Sequence, residues 1–244
     1  MVWEKSKLLI TFLDKQFFLA TTNKDFFKNF VLPPEIEDLN LVPCLVKEKN
    51  LILTYFLNKY DFLKPKNKIL IPEQIHGNKV IFIDKNNLDL YKSVKFNNFE
   101  IYGIGSADGI ITDLRDAVVL VFSADCIPLF VFNKKDMVFG LLHVGRRGLE
   151  EGICENTLLL LKARGFNLGD FRFVLGVHIC EKCYIIDGKS YSLFEKLKNV
   201  FLDFGINPNR IYKEKTLCTC HTSGFFSYRK KDFIMRNISF IFSR

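Results

Sequence analysis

The stretch AVVLVFSADCIPLFVF, residues 117–132, is the most apolar part of a chain of 244 residues. Its first part, Ala117 to Phe122, is rich in β-branched and large apolar residues, which predicts a buried strand. Cys126 comes shortly after that strand. The stretch contains Asp125 and Pro128 and is shorter than the ~20 residues that span a bilayer, so it predicts sheet core and no membrane segment.

Short strand-like runs recur on both sides of this stretch. Turn residues separate them, and two of the intervals carry a helical pattern. Strands and helices are mixed without a strict βαβ alternation, which favours an α+β or layered α/β fold over a doubly wound sheet. The predicted strands are Leu8–Leu13, Gln16–Thr21, Lys68–Ile71, Lys79–Ile83, Ala117–Phe122, Met137–Leu142, Phe171–Val177 and Arg210–Tyr212.

Two helices are predicted between these runs. The first extends from about Gly148 to Arg164, because leucine and isoleucine residues recur there on one helical face. The second starts at Ser192, whose hydroxyl can cap a helix, and ends at Gly205, a residue type that favours a left-handed stop. The Asn- and Lys-rich stretch from Lys85 to Asn98 is interpreted as a surface insertion.

The length and composition of the chain indicate how many domains it has, where in the cell it is found and whether its cysteines form disulfides. A chain of 244 residues with 48% hydrophobic content can bury a large core, and no repeat or linker divides it, so we expect one domain over residues 1–244. The N-terminus has only a short apolar run and no small-residue cleavage site, which predicts a cytoplasmic protein. Seven cysteines, an odd number, favour free thiols and metal ligands over a disulfide framework.

The chain is basic, with a formal net charge of +8 from 35 basic and 27 acidic residues. Most lysines are scattered singly, as on solvated faces. Two groups are denser, Arg146-Arg147 and Arg229-Lys230-Lys231, and both lie in motifs that suit a ligand. A small anionic substrate therefore explains the charge better than a nucleic acid does.

Three residues have the chemistry of a catalytic zinc site. Only four histidines occur in the chain, and two of them, His76 and His143, follow strand-like runs, as Cys126 does. Two imidazoles and one thiolate supply three ligands and leave a fourth position for water or substrate, as catalytic zinc requires. The intervals between them match no local metal motif, so a buried cysteine with two hydrogen-bonded core histidines explains the residues equally well.

A second group of cysteines offers a rival metal site. Cys180 and Cys183 form a C-x-x-C pair, and Cys218, Cys220 and His221 follow downstream. This pattern is compatible with a structural zinc knuckle, which is the less favoured of the two metal interpretations.

Two further segments can bind an anion. The segment Val144–Gly148 follows His143 directly and opens the first helix, so its glycines, its backbone amides and the guanidinium of Arg147 suit a phosphate or carboxylate. An ordinary strand-to-helix turn with solvated arginines is the alternative. The segment Phe225–Arg229 combines aromatic rings with a hydroxyl and a guanidinium, as where a base stacks or an anion is held.

Six blocks of sequence occur in an order that is typical of one family. They are Gln74–Gly77, Ala107–Thr112, Ser123–Pro128, His143–Gly148, Cys183-Tyr184 after Gly176, and Cys218-Thr219 leading to Phe225–Arg229. Taken together, they resemble the laccase-domain family, whose members are labelled polyphenol oxidase, purine nucleoside phosphorylase or peptidoglycan-editing factor.

The resemblance implies a fold and an activity. The fold is a single-domain layered α-β-β-α sandwich, with zinc held by the positions that match His76, Cys126 and His143. The activity is phosphorolysis of adenosine, inosine and methylthioadenosine, together with deamination of adenosine. The expected partners are thus a nucleoside and phosphate, with no nucleic acid and no membrane.

The resemblance also implies substrate-side roles for five residues. Arg147 and Arg229 are candidates to hold phosphate, Gln74 and Asp125 to shape the surroundings of the metal, and Tyr228 to contact base or sugar.

At several positions the chain departs from the family pattern. Arg146 stands where the family has tryptophan, Val177 where proline is usual, and Cys180 where the family has glycine. Lys230 follows Arg229 where a second arginine is common, and Thr21-Thr22-Asn23 lacks the arginine and glycine that normally follow.

Three other functions stay open. Copper-dependent phenol oxidation is carried by one family label, but a set of several coppers needs more imidazoles than four histidines supply. Hydrolysis through Cys126 as nucleophile, on a peptidoglycan precursor, needs no metal. A protein that binds an anionic ligand without turnover is the non-enzymatic alternative.

Overall fold

The computed structural model describes residues 3–5, 9–13, 16–30, 47–59, 68–213 and 217–244. Within these ranges the α-helices are α1 (Lys47–Lys59), α2 (Arg146–Glu150), α3 (Ile153–Ala163) and α4 (Leu193–Asp203). The strands are β1 (Trp3–Lys5), β2 (Leu9–Leu13), β3 (Phe17–Thr22), β4 (Lys68–Ile71), β5 (Val80–Ile83), β6 (Ser93–Phe96), β7 (Phe99–Gly103), β8 (Gly109–Thr112), β9 (Ala117–Ser123), β10 (Ile127–Asn133), β11 (Val138–Val144), β12 (Phe171–Leu175), β13 (Ile185–Ile186), β14 (Lys189–Ser190), β15 (Ile211–Lys213) and β16 (Asn237–Ser243).

Two sheets contain almost all of these strands. The first sheet has eight strands in the order β1-β2-β3-β16-β9-β4-β7-β6, and the second has six in the order β15-β12-β10-β11-β8-β5. The two remaining strands, β13 and β14, pair only with each other.

The sheets pack face to face over a shared apolar layer. Val119, Val121 and Ile241 of the first sheet lie in one buried cluster with Phe130 and Leu141 of the second. Because side chains alternate along a strand, the other residues of each central strand point away from this layer. Those outward-facing residues need helices to cover them.

Helices cover the outer face of each sheet. Helix α1 packs on the first sheet, where the rings of Phe56 and Phe240 lie 5.2 Å apart. Helices α3 and α4 pack on the second sheet, where the rings of Phe173 and Phe201 lie 4.4 Å apart. The order of layers is therefore helix, sheet, sheet, helix, which confirms the predicted α-β-β-α arrangement.

Three connections cross from the first sheet to the second at one edge of the sandwich. Strands β4, β7 and β9 are parallel, so their carboxyl ends meet there. The connections 72–79, 104–108 and 124–126 then lead to β5, β8 and β10 of the second sheet. Strand β11 ends at the same edge, because Val144 pairs with Ile127 at the start of β10. We call this edge the crossover rim.

The eight strand-like runs of the sequence all correspond to strands, with ends that differ by at most two residues. Leu8, the first residue of one run, lies outside the described residues. Several strands were not predicted, among them β10, where Pro128 argues against a central strand. Pro128 lies at the second residue of β10, before pairing with β12 starts at Leu129. Its missing N–H therefore costs little.

The prediction of one helix over Gly148–Arg164 is wrong in one respect. Gly152 has a left-handed φ of 91° and divides the segment into α2 and α3. The second helix is confirmed, with Ser192 accepting a hydrogen bond from the amide of Glu195. The interpretation of Lys85–Asn98 as a surface insertion is incomplete, because β6 lies within it and extends the first sheet.

Among the described helices, none has the length and apolar character that crossing a membrane requires.

Candidate metal centre and its cavity

The crossover rim brings His76, Cys126 and His143 together. One ligand atom from each residue lies within 4.8 Å of the other two. The imidazole rings of His76 and His143 are 4.7 Å apart between centroids and nearly perpendicular, at 88°. Two of the three residues lie in sheet-to-sheet crossovers and the third near the end of β11, so the fold assembles the group from separate parts of the sequence.

Asp108 lies in the remaining crossover and holds this group in place. Its carboxylate is fully buried and accepts a hydrogen bond from Nδ1 of His143 at 2.9 Å. It also accepts hydrogen bonds from the backbone amides of Ile75, His76 and Gly77, at distances of 3.1, 3.0 and 2.7 Å. The bond to Nδ1 leaves Nε2 of His143 available as a ligand, which is how carboxylates fix metal-binding histidines.

The backbone at the rim adopts unusual conformations. Gln74, His76 and Asp125 have positive φ values of 61°, 59° and 94°. Such angles are uncommon for residues other than glycine and cost of order 1 kcal/mol or more each. The surrounding hydrogen bonds hold the strained conformations, which direct side chains into the space between the crossovers.

The electrostatics of the group favour ionised sulfur. Burial raises the pKa of the Cys126 thiol, but the imidazoles of His143 and His76 outweigh it and lower that pKa to about 6. Burial lowers the pKa of His143, while the Cys126 thiolate and the Asp108 carboxylate raise it to about 9. A thiolate beside two imidazoles suits a divalent cation, which binds only deprotonated thiol.

These residues fit a single metal ion of the zinc type. Two nitrogens and one sulfur from the protein leave a coordination position open, as in catalytic zinc sites. The other two histidines lie outside the cavity: His178 is buried and bonded through Nδ1 to the carbonyl of Gly176 at 2.7 Å, and His221 lies among other cysteines. The donor set therefore suits one ion better than a cluster of several coppers.

A cavity of about 790 Å³ opens above the three residues. Its wall carries six cationic side chains and one carboxylate, that of Asp125. The cationic residues are Lys49, Arg146, Arg147, Arg229, Lys231 and Arg236. This charge and volume suit a small anionic ligand with an apolar part.

All five residues predicted on the substrate side line this cavity. Arg147 is exposed and its Nε donates to Glu151 at 2.7 Å, one helical turn away. The guanidinium of Arg229 stacks over the ring of Tyr184 at 5.0 Å. Tyr228 is exposed at the entrance and makes an edge contact with the ring of Phe233, 5.1 Å away. These side chains can reach a ligand without breaking a buried contact.

Gln74 and Asp125 differ from the other three, because protein groups hold their polar atoms. Gln74 donates to the carbonyl of Phe122 at 2.6 Å and accepts from its amide at 2.9 Å. Asp125 accepts from Thr219 Oγ1 at 2.6 Å and from the amide of Arg229 at 2.9 Å. Both side chains fix the chain segments around the metal centre.

Three residues of the site, Asp108, Tyr184 and Arg236, were not predicted from the sequence to have a role. Asp108 lies in the block Ala107–Thr112 that carries the family resemblance, and that signal could have identified it, whereas the strands on either side of it, β7 and β8, were not predicted. Arg236 lines the cavity, and its guanidinium donates to the backbone carbonyls of Asp232, Phe233 and Met235. Nothing in the local sequence indicates that arrangement.

Fold and site together define a two-sheet α/β protein with a candidate His₂Cys metal centre in a cationic cavity. Comparison with known proteins identifies its family. The chain belongs to the family described as multi-copper polyphenol oxidoreductase laccase, which matches residues 55–200. This confirms the resemblance seen in the sequence blocks.

Individual relatives are distant. A Campylobacter jejuni protein named purine nucleoside phosphorylase is 25% identical over 238 residues, covering 88% of this chain and 96% of its own. A protein of an unknown prokaryotic organism named adenosine deaminase RL5 is 22% identical over 128 residues, covering 52% of this chain and 47% of its own. The crystal structure of the Bacillus licheniformis hypothetical protein YfiH superposes with a TM-score of 0.75 at 20% identity, covering 99% of both chains, and establishes the fold.

Proposed function

We propose that this chain is a zinc-dependent purine nucleoside enzyme. It phosphorolyses adenosine, inosine and methylthioadenosine and also deaminates adenosine. The observation that carries the proposal is the His76–Cys126–His143 group at the base of a cavity lined with arginines. The names of the two relatives, a phosphorylase and a deaminase, support the choice of substrate class.

The arginines serve the phosphorolysis. A phosphate oxygen forms a bond to C1′ of the ribose while the C1′–N9 bond breaks, and the purine leaves with a proton on nitrogen. Arg147 and Arg229 hold the phosphate and orient it, since guanidinium groups bind phosphate through paired charge-assisted hydrogen bonds. Tyr228 contacts the base or sugar at the entrance.

The deamination uses the metal end of the cavity. Water replaces the amino group at C6 of adenosine, and ammonia leaves. A zinc ion bound by His76, Cys126 and His143 supplies Lewis acidity there. Asp108 keeps His143 in the tautomer that presents Nε2, and Gln74 and Asp125 hold the surrounding segments.

Adenosine incubated with and without phosphate tests both reactions. Separation of the products by chromatography should show adenine and ribose 1-phosphate only with phosphate, and inosine without it. Cys126→Ala should abolish both products, whereas Cys154→Ala, which replaces a buried core thiol, should keep them. Wild-type protein that forms neither adenine nor inosine at any phosphate concentration would contradict the proposal.

A matched pair of variants tests the phosphate subsite. Arg229→Gln removes a guanidinium that lines the cavity, whereas Lys230→Gln removes the adjacent charge, which does not line it. We expect the first variant to raise the KM for phosphate by about 10- to 100-fold, the loss of one or two charge-assisted hydrogen bonds, with the second near wild type. Equal effects would indicate general electrostatic attraction and no specific site.

One observation favours a second candidate function, a cysteine hydrolase that acts on peptidoglycan precursors. The pKa of Cys126 falls to about 6 beside two imidazoles, and such a thiolate is a nucleophile near neutral pH. Hydrolysis that survives chelation but is lost on alkylation of Cys126 would favour this function.

Metal analysis of the purified protein tests the copper alternative, since stoichiometric copper without zinc would favour phenol oxidation.

A further inference from the structure

A second cluster of metal-binding side chains lies outside the cavity. One ligand atom from each of Cys180, Cys183, Cys218 and His221 lies within 4.8 Å of the other three. Nδ1 of His221 is 3.6 Å from Sγ of Cys180 and 3.4 Å from Sγ of Cys183. The sequence suggests these residues only as a rival to the first centre, whereas the structure assembles both groups.

The distances agree with a tetrahedral zinc site. Zinc binds thiolate sulfur at about 2.3 Å and imidazole nitrogen at about 2.0–2.1 Å, so the edge between sulfur and nitrogen of a tetrahedron is about 3.5 Å long. The two sulfur–nitrogen distances, 3.6 and 3.4 Å, lie on either side of this value. The four side chains are thus spaced for an ion between them.

The backbone is arranged to stabilise thiolates at this cluster. The amides of Cys180 and Cys220 both donate to Sγ of Cys218, at 3.3 and 3.4 Å. The C-x-x-C segment folds into a turn in which the amide of Cys183 donates to the carbonyl of Cys180 at 3.1 Å.

We propose that Cys180, Cys183, Cys218 and His221 bind a second zinc ion, separate from the one at His76, Cys126 and His143. With three sulfurs and one nitrogen from the protein, no coordination position stays open, which is the pattern of a structural zinc site. Cys220 lies next to the cluster and is not one of the four ligands.

The second zinc joins two segments that form the wall of the first site. One segment carries Tyr184, whose amide donates to the carbonyl of Cys180 at 3.0 Å and whose ring stacks on Arg229. The other carries Thr219, whose hydroxyl donates to Asp125 beside Cys126. Zinc across these segments fixes the positions of the cavity residues that they carry.

Counting zinc in variants tests this proposal and separates it from the proposed function. Protein purified without added metal and then dialysed should contain two zinc ions per chain. Cys183→Ser and Cys126→Ala should each contain one, the double variant none, and the control Cys154→Ala two. One zinc per chain that is lost in Cys126→Ala and kept in Cys183→Ser would overturn the second site. A count that falls only in Cys183→Ser would support it and contradict the metal centre of the proposed function.

Cobalt loading of Cys126→Ala gives a second readout, in which all four residues of the second cluster are intact. In that variant the three thiolates of the second cluster should give a thiolate-to-cobalt charge-transfer band, which reports sulfur ligation, together with the intense visible ligand-field bands of tetrahedral coordination. Absence of the charge-transfer band would overturn the proposal.

Discussion

Asp108 shows how one buried carboxylate can organise a candidate metal site. It is the hydrogen-bond partner of His143 and of three successive amides in the crossover that carries His76. Burial raises the pKa of Asp108, but the hydrogen bonds from His143 and the amides outweigh it and keep that pKa below its usual value. The carboxylate therefore stays ionised and sets the positions of both histidines.

Replacing Asp108 by Asn should weaken the metal centre. The amide can accept only some of these hydrogen bonds, and it offers its NH₂ group where amides now donate. We expect metal affinity at the His76–Cys126–His143 group to fall by about 10- to 100-fold, measured by competition with a chelator. Asp113→Asn, at an exposed position, is the control. Unchanged affinity in Asp108→Asn would show that the histidines are oriented by other contacts.

His178 should make the protein sensitive to acid. Burial lowers its pKa from 6.5 to about 4, although its hydrogen bond to the Gly176 carbonyl opposes this. Between these pH values the unfolded chain binds the proton and the folded chain does not, so the free energy of unfolding falls as pH drops, by about 3 kcal/mol in all. In urea unfolding, the free energy of unfolding of His178→Gln should fall less steeply over that pH range than that of the wild-type protein. The same dependence on pH in both proteins would contradict the role of His178.

At the residue scale, candidate metal ligands could be predicted because few side chains of the right type occur. Four histidines and seven cysteines leave few possible ligand sets. The structure brings His76, Cys126 and His143 close enough to share one ion. Gln74 and Asp125 illustrate what could not be predicted. Their sequence neighbours suggest contact with substrate or metal, but their partners, Phe122 and Thr219, lie 48 and 94 residues away.

At the scale of elements, helix α2 packs directly on the crossover that carries His76. A Cβ atom built on Gly148 would lie 2.5 Å from the carbonyl oxygen of Gly77, closer than real contacts allow. One built on Gly145 would lie 3.0 Å from Sγ of Cys126. These glycines let the start of the helix approach the metal centre closely.

Gly148→Ala should push α2 away from the His76 crossover. We expect a loss of about 1–3 kcal/mol in the free energy of unfolding, typical of overpacking, and weaker metal binding. Gly169→Ala is the matched control, because only the Asn167 side chain lies near an added Cβ there, at 3.3 Å. Chemical denaturation and metal competition would measure both effects, and wild-type values for both would contradict the packing argument.

Elements could be predicted where local pattern and tertiary role agree. Helix α4 has a capping serine, helical spacing of apolar residues and a terminal glycine, Gly205, with a left-handed φ of 76°. Helix α1 was not predicted. Its apolar residues are placed to pack on the face of the first sheet that the helix covers. That packing depends on residues of the sheet, so the sequence of the helical segment alone does not indicate it.

At the scale of the whole molecule, the layer between the sheets is the largest shared structure. It is built from both sheets, and no linker divides the sequence, so we propose that the chain folds as one domain over residues 1–244. Phe130→Ala, in this layer, should lower the free energy of unfolding by about 3–5 kcal/mol. Leu159→Ala, on the exposed side of α3, should change it little. Calorimetry should give a single transition that moves as a whole, and two separate transitions would contradict one domain.

The crossover rim has a practical consequence for engineering. The candidate metal ligands, the cationic side chains and the second cysteine cluster all lie at that edge, whereas the hairpin turn between β10 and β11 lies at the opposite edge. Lys135 and Asp136 in this turn are exposed. A fluorescent label, an affinity tag or a surface-attachment sequence inserted there would leave the cavity facing solution, so immobilised protein should still take up its ligand.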